Sequence, residues 1–401
     1  MKKIHNNFLE PPEQKLSSLI GHYQAGRYVE AEKLALSINK EFPKNKVAWK
    51  VLAAVLKQNG RINEALIICQ KSVQLDPKDA EAHKNLGIIL YEQSRLNEAE
   101  ESFRKAIILQ PNFAMAHSNL GILLQIQGKL KESEESFKKA IALAPDYAEA
   151  HNNLGVVLKD QGKLDEALSA FIQAINLNSN NTDTYANLGI AIEKVRFNSS
   201  DVKLYPLLIQ LLNSGNFVRP LDLATSILSL LKHDPLIKNL LLEENFAKSL
   251  KEANTIIVNL NKLKLIHYLM RLCPLPNLQF EKFFMNMRKL LLNNLNNIDT
   301  SAEVIYFLSS LSIQCFTNEY VYVEKDEETK LVENLENEII HTIKKSEQPE
   351  VKKILCLASY RPLHKYNWCQ KLEALDNLKE VKSRLIDEPH TERVIMSEIP
   401  E

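Results

Sequence analysis

The sequence predicts an all-α protein, with a solenoid of paired antiparallel helices in its first half and an irregular helical domain in its second. One observation is a block that recurs. His83-Lys84-Asn85-Leu86-Gly87, His117-Ser118-Asn119-Leu120-Gly121, His151-Asn152-Asn153-Leu154-Gly155 and Tyr185-Ala186-Asn187-Leu188-Gly189 each begin 34 residues after the one before. A second is apolar spacing at i, i+3 and i+4 through the rest of the chain, the period of a helix with one buried face. The third is composition: 401 residues, 45% hydrophobic and 25% charged, have the size for two or three domains and the balance of a folded chain rather than a disordered one.

Residues 1–11 form a polar lead-in. From residue 12 the frame lays down five repeats, 12–45, 46–79, 80–113, 114–147 and 148–181, with Pro43, Pro77, Pro111 and Pro145 at one slot. Each proline stands where the chain must leave a second helix and begin the next unit. Leu86, Gly87 and Leu90 share a face of a first helix, and glycine there permits close approach of a second. Phe103, Ala106 and Ile107 supply the facing surface. Gly128 and Gly162, each followed by Lys-Leu, mark the turn between the two helices of a pair. The first repeat is the most eroded, holding Ser18 and Leu19 where later repeats hold Leu-Gly. A terminal unit of a solenoid has no neighbour on its outer side, so its sequence is free to drift.

A 34-residue unit with Leu-Gly early, Ala and Phe later (Ala99, Phe103 and Ala106; Ala167, Phe171 and Ala174) and Pro111 near its end resembles the tetratricopeptide repeat (TPR). The resemblance implies an α-solenoid that binds a protein partner. A sixth first helix, 182–194, caps the array. The turn cluster Phe197-Asn198-Ser199-Ser200-Asp201 then breaks the frame and closes the solenoid at 196.

Residues 202–388 read as the helical domain and 389–401 as a tail. Asp234-Pro235 predicts a helix start with proline in its first turn. Thr300 and Glu303 predict a capping box ahead of Val304, Phe307 and Leu308. Phe280, Phe283, Phe284, Met287 and Leu291 form a core stripe. Tyr320-Val321-Tyr322-Val323 is the one tempting short strand, and residues 324–328 read as an exposed acidic stretch.

Lysine plus arginine equals aspartate plus glutamate at 50 each, so no overall field draws the chain to nucleic acid or to an anionic membrane. No stretch reaches the roughly 18 apolar residues that a membrane helix needs. Five scattered cysteines without a C-x-x-C pair suit cytoplasmic thiols. All ten glycines lie at or before Gly215, and the next 186 residues hold none. A P-loop or dinucleotide fingerprint needs glycine for close backbone approach, so neither fits in residues 216–401. No cofactor and no catalytic residue is expected.

His83, His117 and His151 suggest a metal ladder, but zinc ligands stand about 2 Å from the ion and packed helices stand about 8–10 Å apart. No metal is expected, and the histidines are assigned to packing. Cys356 and His364 carry no local support as a nucleophile and base. The run from Tyr360 to Cys369 is expected to pack its aromatics inward. Asn85, Asn119, Asn153 and Asn187 precede the packed leucine and so lie about 100° round the helix from it, on the inner surface. An amide offers a donor and an acceptor, the complement of a peptide group. A row of them could grip an extended chain, with Ile88, Ile122, Val156 and Ile190 as an apolar strip beside it.

Over residues 46–190 the repeats resemble the superhelix of O-linked N-acetylglucosamine transferase, which implies that the four asparagines hold substrate peptide. The TPR type that clamps a chaperone tail needs basic slots that here hold Ile88, Ile122 and Val156, or Met115 and Glu149, so a carboxylate clamp is not expected. The second half, through Leu204 to Ile227, Cys315 to Tyr322 and Tyr360 to Trp368, resembles the middle region of bacterial fusions of TPR repeats with an S-adenosylmethionine-dependent methyltransferase. That resemblance implies the substrate-docking portion of a larger transferase whose catalytic domain would follow residue 401. Beside it stands the plainer expectation of a non-catalytic scaffold in the cytoplasm.

Overall fold

The computed structural model describes residues 10–214, 218–242, 244, 246–318 and 324–387, and among these every regular element is a helix. Tyr320 to Val323 lie outside the described residues. Two compact units divide between Asn187 and Leu188. The division falls inside a helix, upstream of the turn cluster at 197–201 from which the sequence marks a boundary.

The first unit is a run of helix pairs: α1 Glu13–Gln24 with α2 Tyr28–Glu41, α3 Lys46–Gln58 with α4 Ile62–Leu75, α5 Ala80–Glu92 with α6 Leu96–Leu109, α7 Ala114–Ile126 with α8 Leu130–Leu143, and α9 Ala148–Asp160 with α10 Leu164–Leu177. Helix α11, Thr182–Glu193, spans the division between the units. The turn inside each pair needs one residue in the left-handed region. Gly26, Gly60, Gly128 and Gly162 supply it with φ between +70° and +79°, and Ser94 supplies it in the third pair at φ +61°. A side chain there crowds its own carbonyl, at about 1–2 kcal/mol.

Each of the last three pairs is locked by one contact. A Cβ placed on Gly87 would lie 2.7 Å from the Phe103 ring, on Gly121 2.9 Å from Phe137, and on Gly155 2.7 Å from Phe171. The three rings are buried, and the missing side chain is the space each ring occupies. At the same two slots the first pairs hold Leu19 with Ala35 and Ala53 with Cys69, all buried in one cluster. In the first pair the bulk thus sits on the first helix, Leu19 against Ala35, with about the volume of a ring against glycine, whereas the second pair fills the two slots with the smaller Ala53 and Cys69.

Ion pairs tie neighbouring pairs together on the second helices. Arg61–Glu32, Lys129–Glu100 and Lys163–Glu134 join equivalent slots. Glu134 receives Lys138 at 2.6 Å and Lys163 at 2.8 Å, and these charge-assisted bonds hold its carboxyl down at about 2.

The second unit is helical throughout its described residues: α12 Tyr205–Ser214, α13 Pro220–Leu231, α14 Leu250–Leu260, α15 Lys264–Leu272, α16 Leu278–Asn293, α17 Ala302–Thr317, α18 Asp326–Lys344, α19 Val351–Ala358 and α20 Lys379–Lys382, with short 3-10 turns between. Helix α16 starts on Asn277, whose side chain accepts from Gln279 N and Phe280 N. Its stripe of Phe280, Phe283, Phe284, Met287 and Leu291 is buried, and Phe284 packs on Phe307 of α17.

Three local expectations are corrected here. Asp234-Pro235 starts a run of turns rather than a helix: Ile237 N and Lys238 N both return to Asp234 O, and Leu240 N then bonds Ile237 O, so no i to i−4 ladder continues. Asp234 itself is buried and accepts the Tyr205 hydroxyl at 2.6 Å and Leu236 N at 2.8 Å. The capping box at Thr300 and Glu303 does not form. Helix α17 starts one residue later on Ser301, with no side-chain cap, which places Glu303 one position short of the reach a box needs. Nor is the stretch 324–328 exposed throughout, because Glu324 pairs with Arg361 at 2.5 Å and Glu328 is buried on the Tyr360 hydroxyl at 3.0 Å.

Three measurements check this account. Gly121→Val lowers stability by about 1–3 kcal/mol through overpacking, and adding Phe137→Leu to it restores part of that loss; additive losses in chemical denaturation would disprove the shared-volume contact. Ser94→Gly raises stability by about 0.5–1 kcal/mol by removing left-handed strain, and an unchanged melting temperature would count against it. For Glu134, a folded carboxyl held at about 2 contributes stability that is present above the ordinary carboxylate range and lost as pH falls through about 2. Glu134→Gln therefore melts lower at pH 7 and shows a shallower fall in Tm between pH 4.5 and 2; parallel Tm curves for the two proteins would refute it.

Candidate functional site

First helices of successive pairs (α1, α3, α5, α7, α9) approach one another more closely than second helices of successive pairs do. A stack whose first helices are closer curves towards them, so their free faces line the concave side of the first unit. On this side lie Asn85 and Ile88 of α5, Asn119 and Ile122 of α7, and Asn153 and Val156 of α9, all half-buried, with Asn187 half-buried on α11. Ile190, 40% exposed, stands on α11 within the second unit.

The four asparagines are not equivalent. Asn152, one residue before Asn153, is buried; it donates to Asn153 Oδ1 at 3.2 Å and accepts from Asn187 Nδ2 at 3.1 Å. Asn153 and Asn187 are thereby tied into a short amide chain. Among the described residues, Asn85 and Asn119 have no hydrogen-bond partner for their side chains. These two keep donor and acceptor open on a half-buried surface, which is where an incoming peptide group gains most.

The histidine slot is resolved by a shared carbonyl. Nε2 of His83, His117 and His151 lies 3.0 Å from the carbonyl oxygen of Pro77, Pro111 and Pro145 respectively. In the second pair the same slot holds Trp49, whose Nε1 donates to Pro43 O at 2.9 Å. Indole nitrogen can only donate, so each imidazole takes the same role with the proton on Nε2. These rings pin the turn that enters each repeat. Among the described residues no group of three His, Cys, Asp or Glu is placed to hold a metal ion.

Most charges on the concave side are matched between neighbours. Lys50 bridges Asp79 at 3.2 Å and Glu81 at 2.5 Å, Lys57 bridges Glu92 at 2.8 Å, and Gln125 donates to Asp160 at 3.0 Å. Helix α7 stands apart. It carries no Asp, Glu, Lys or Arg, and Met115, Asn119, Ile122 and Ile126 run down its free face. From the sequence, Met115 is noted only as a slot that lacks a basic residue, and Asn152 and Ile126 are given no role. The frame could have found Met115 and Ile126, since their slots hold Glu81 and Glu92 one repeat earlier and Glu149 and Asp160 one repeat later.

The remaining titratable candidates of the second unit are packed away. Cys356 is buried, and burial pushes its thiol up to about 12, which removes the thiolate that a nucleophile needs. His267 is buried against Tyr306 and Phe307, and burial with the neighbouring Arg271 pulls its pKa down to about 4. Tyr360, Leu363 and Cys369 are buried, while Tyr366 and Trp368 stack on each other half-exposed at 4.8 Å. No described helix is long and apolar enough to cross a membrane.

Family models of the tetratricopeptide repeat match residues 22–83, 80–113 and 112–180. Residues 22–180 are therefore tetratricopeptide repeats. No curated protein matches the chain. Among solved structures the chain is similar to a thermophilic TPR protein of Thermus thermophilus, at 26% identity over 45% of this chain and 98% of that one, with a TM-score of 0.40. It is similar to YrrB, described as a TPR protein with an unusual peptide-binding site, at 22% identity over 45% of this chain and 91% of that one, TM-score 0.37. It is also similar to PilF of Pseudomonas aeruginosa, at 20% identity over 56% of this chain and 91% of that one, TM-score 0.42.

Proposed function

We propose that residues 12–196 form a non-catalytic scaffold that holds an extended segment of another protein along the concave face of its first helices, in the cytoplasm and without a cofactor. The observation that carries this reading is the pair of open amides, Asn85 and Asn119, repeated in register on a half-buried surface and each beside an isoleucine, Ile88 and Ile122. Asn153 and Asn187 continue the row with their amides already engaged by Asn152, and Val156 continues the strip within the first unit. The resemblance of residues 46–190 to the O-linked N-acetylglucosamine transferase superhelix supports the same use of this slot. Buried thiols and a buried neutral His267 support a second domain that packs rather than reacts.

The test uses the full chain and 12-residue peptides selected against it from a phage-displayed random library. Changing all four asparagines to alanine abolishes most of the binding while the melting temperature holds. Of the two halves, Asn85→Ala with Asn119→Ala raises Kd by about tenfold or more, because each net hydrogen bond contributes about 0.5–1.5 kcal/mol. Asn153→Ala with Asn187→Ala raises it less, since those amides give up an internal bond to bind. Selected peptides that bind the quadruple variant as tightly as the parent would rule out the asparagine row as a binding surface.

A further inference from the structure

Lys84 on α5 lies on the same face and is the one lysine among Lys50, Lys57 and Lys84 without a carboxylate in ion-pair range among the described residues. Its neighbours are already committed: Glu81 and Asp79 to Lys50, and Glu92 to Lys57. What Lys84 has instead is the face of Phe113, with Nζ 5.7 Å from the ring centroid, at the N-cap residue just before α7. It is half-buried, and that burial, with repulsion from Lys50 and Lys57, holds its pKa below the ordinary lysine value although Glu81 and Asp79 pull the other way. A desolvated ammonium beside two like charges is a standing cost to the free protein that an arriving anion relieves.

From Phe113 the free face of α7 continues as Met115, 48% exposed, then Asn119, Ile122 and Ile126, 53% exposed, on a helix without a charged side chain. Eleven residues of helix at about 1.5 Å each cover roughly 16 Å, which an extended chain at about 3.3 Å per residue crosses in about five residues. Resting on the groove reading above, we infer that the segment this groove holds carries an aspartate or glutamate side chain that pairs with Lys84 and, within about five residues of it, large apolar side chains that cover Met115, Ile122 and Ile126. A side-chain carboxylate is the occupant assigned, rather than a chain terminus, because Lys84 sits in the third of five pairs, with first helices to either side for the segment to continue over.

The library peptides of the preceding test are displayed with their C-termini fused, so any anion they offer is a side chain. The expected consensus has Asp or Glu followed or preceded, within about five residues, by Leu, Ile, Met or Phe. Lys84→Gln weakens the selected peptides by about tenfold and reduces their salt dependence, Lys84→Arg retains binding, and replacing the peptide acid by its amide costs the same in the parent protein and nothing more in Lys84→Gln. Met115→Gln with Ile126→Gln removes the apolar half of the preference. A consensus without an acid, or equal affinity in Lys84→Gln, overturns the inference. If such peptides still depend on Asn85 and Asn119, the groove reading survives that result. Dependence on Lys84 with indifference to the asparagines would instead keep the anion site and overturn the row. A library that yields no binder overturns both.

Discussion

The contact on which the first unit depends is a ring pressed against a backbone. Phe103, Phe137 and Phe171 each fill the space that a side chain on Gly87, Gly121 or Gly155 would occupy. That contact sets how close the two helices of a pair lie, and stacking identical pairs then sets how far apart the next first helix must be. The free face of α5, α7 and α9 inherits its spacing from an interaction on the opposite side of the same helices. The first pair meets the same need for volume with different residues, Leu19 against Ala35, while the second brings the small Ala53 and Cys69 together at these slots.

With the pairs fixed at a constant repeat, every slot on the concave side becomes a row, and the chemistry of the groove is the departure of one member from its row. Glu81, Met115, Glu149 is one such departure, and Glu92, Ile126, Asp160 is another. Both fall on α7, which makes that helix the apolar centre of the face. The lysine slot departs as well: Lys50 is neutralised by the next repeat, Lys84 is not, and the slot then changes to Ser118 and the buried Asn152. A partner would meet an amide and charge at one end of α7 and hydrocarbon along it. Along the outer helices the same one-repeat spacing joins Arg61, Lys129 and Lys163 to carboxylates, so electrostatics reinforce the stack rather than a binding site.

The second unit is built differently. Its helices meet through an aromatic core around Phe283, Phe284 and Phe307, with buried polar side chains such as Asp234 and Glu328 satisfied by tyrosine hydroxyls from distant positions in the chain. Without a repeat there is no row to compare, and a motif such as Thr300 with Glu303 can match a capping pattern while the helix begins at a neighbouring residue.

The sequence by itself determined the all-α class and the row of asparagines with its apolar strip, because a 34-residue period leaves no freedom in which residues share a face. It also determined that Phe280, Phe283, Phe284, Met287 and Leu291 form one side of a helix, a matter of spacing along the chain alone. Tertiary structure decided which members of the row are open. Asn153 and Asn187 lose their freedom to Asn152, a residue from outside the row that reaches a helix one repeat away. It decided the histidines too, through carbonyls six residues back that only the folded turn brings into line. It likewise closed the acidic stretch at 324–328 around Arg361 and Tyr360. In each case the deciding partner comes into range only once the turn or the neighbouring helix has formed, and periodicity within one helix carries no record of it.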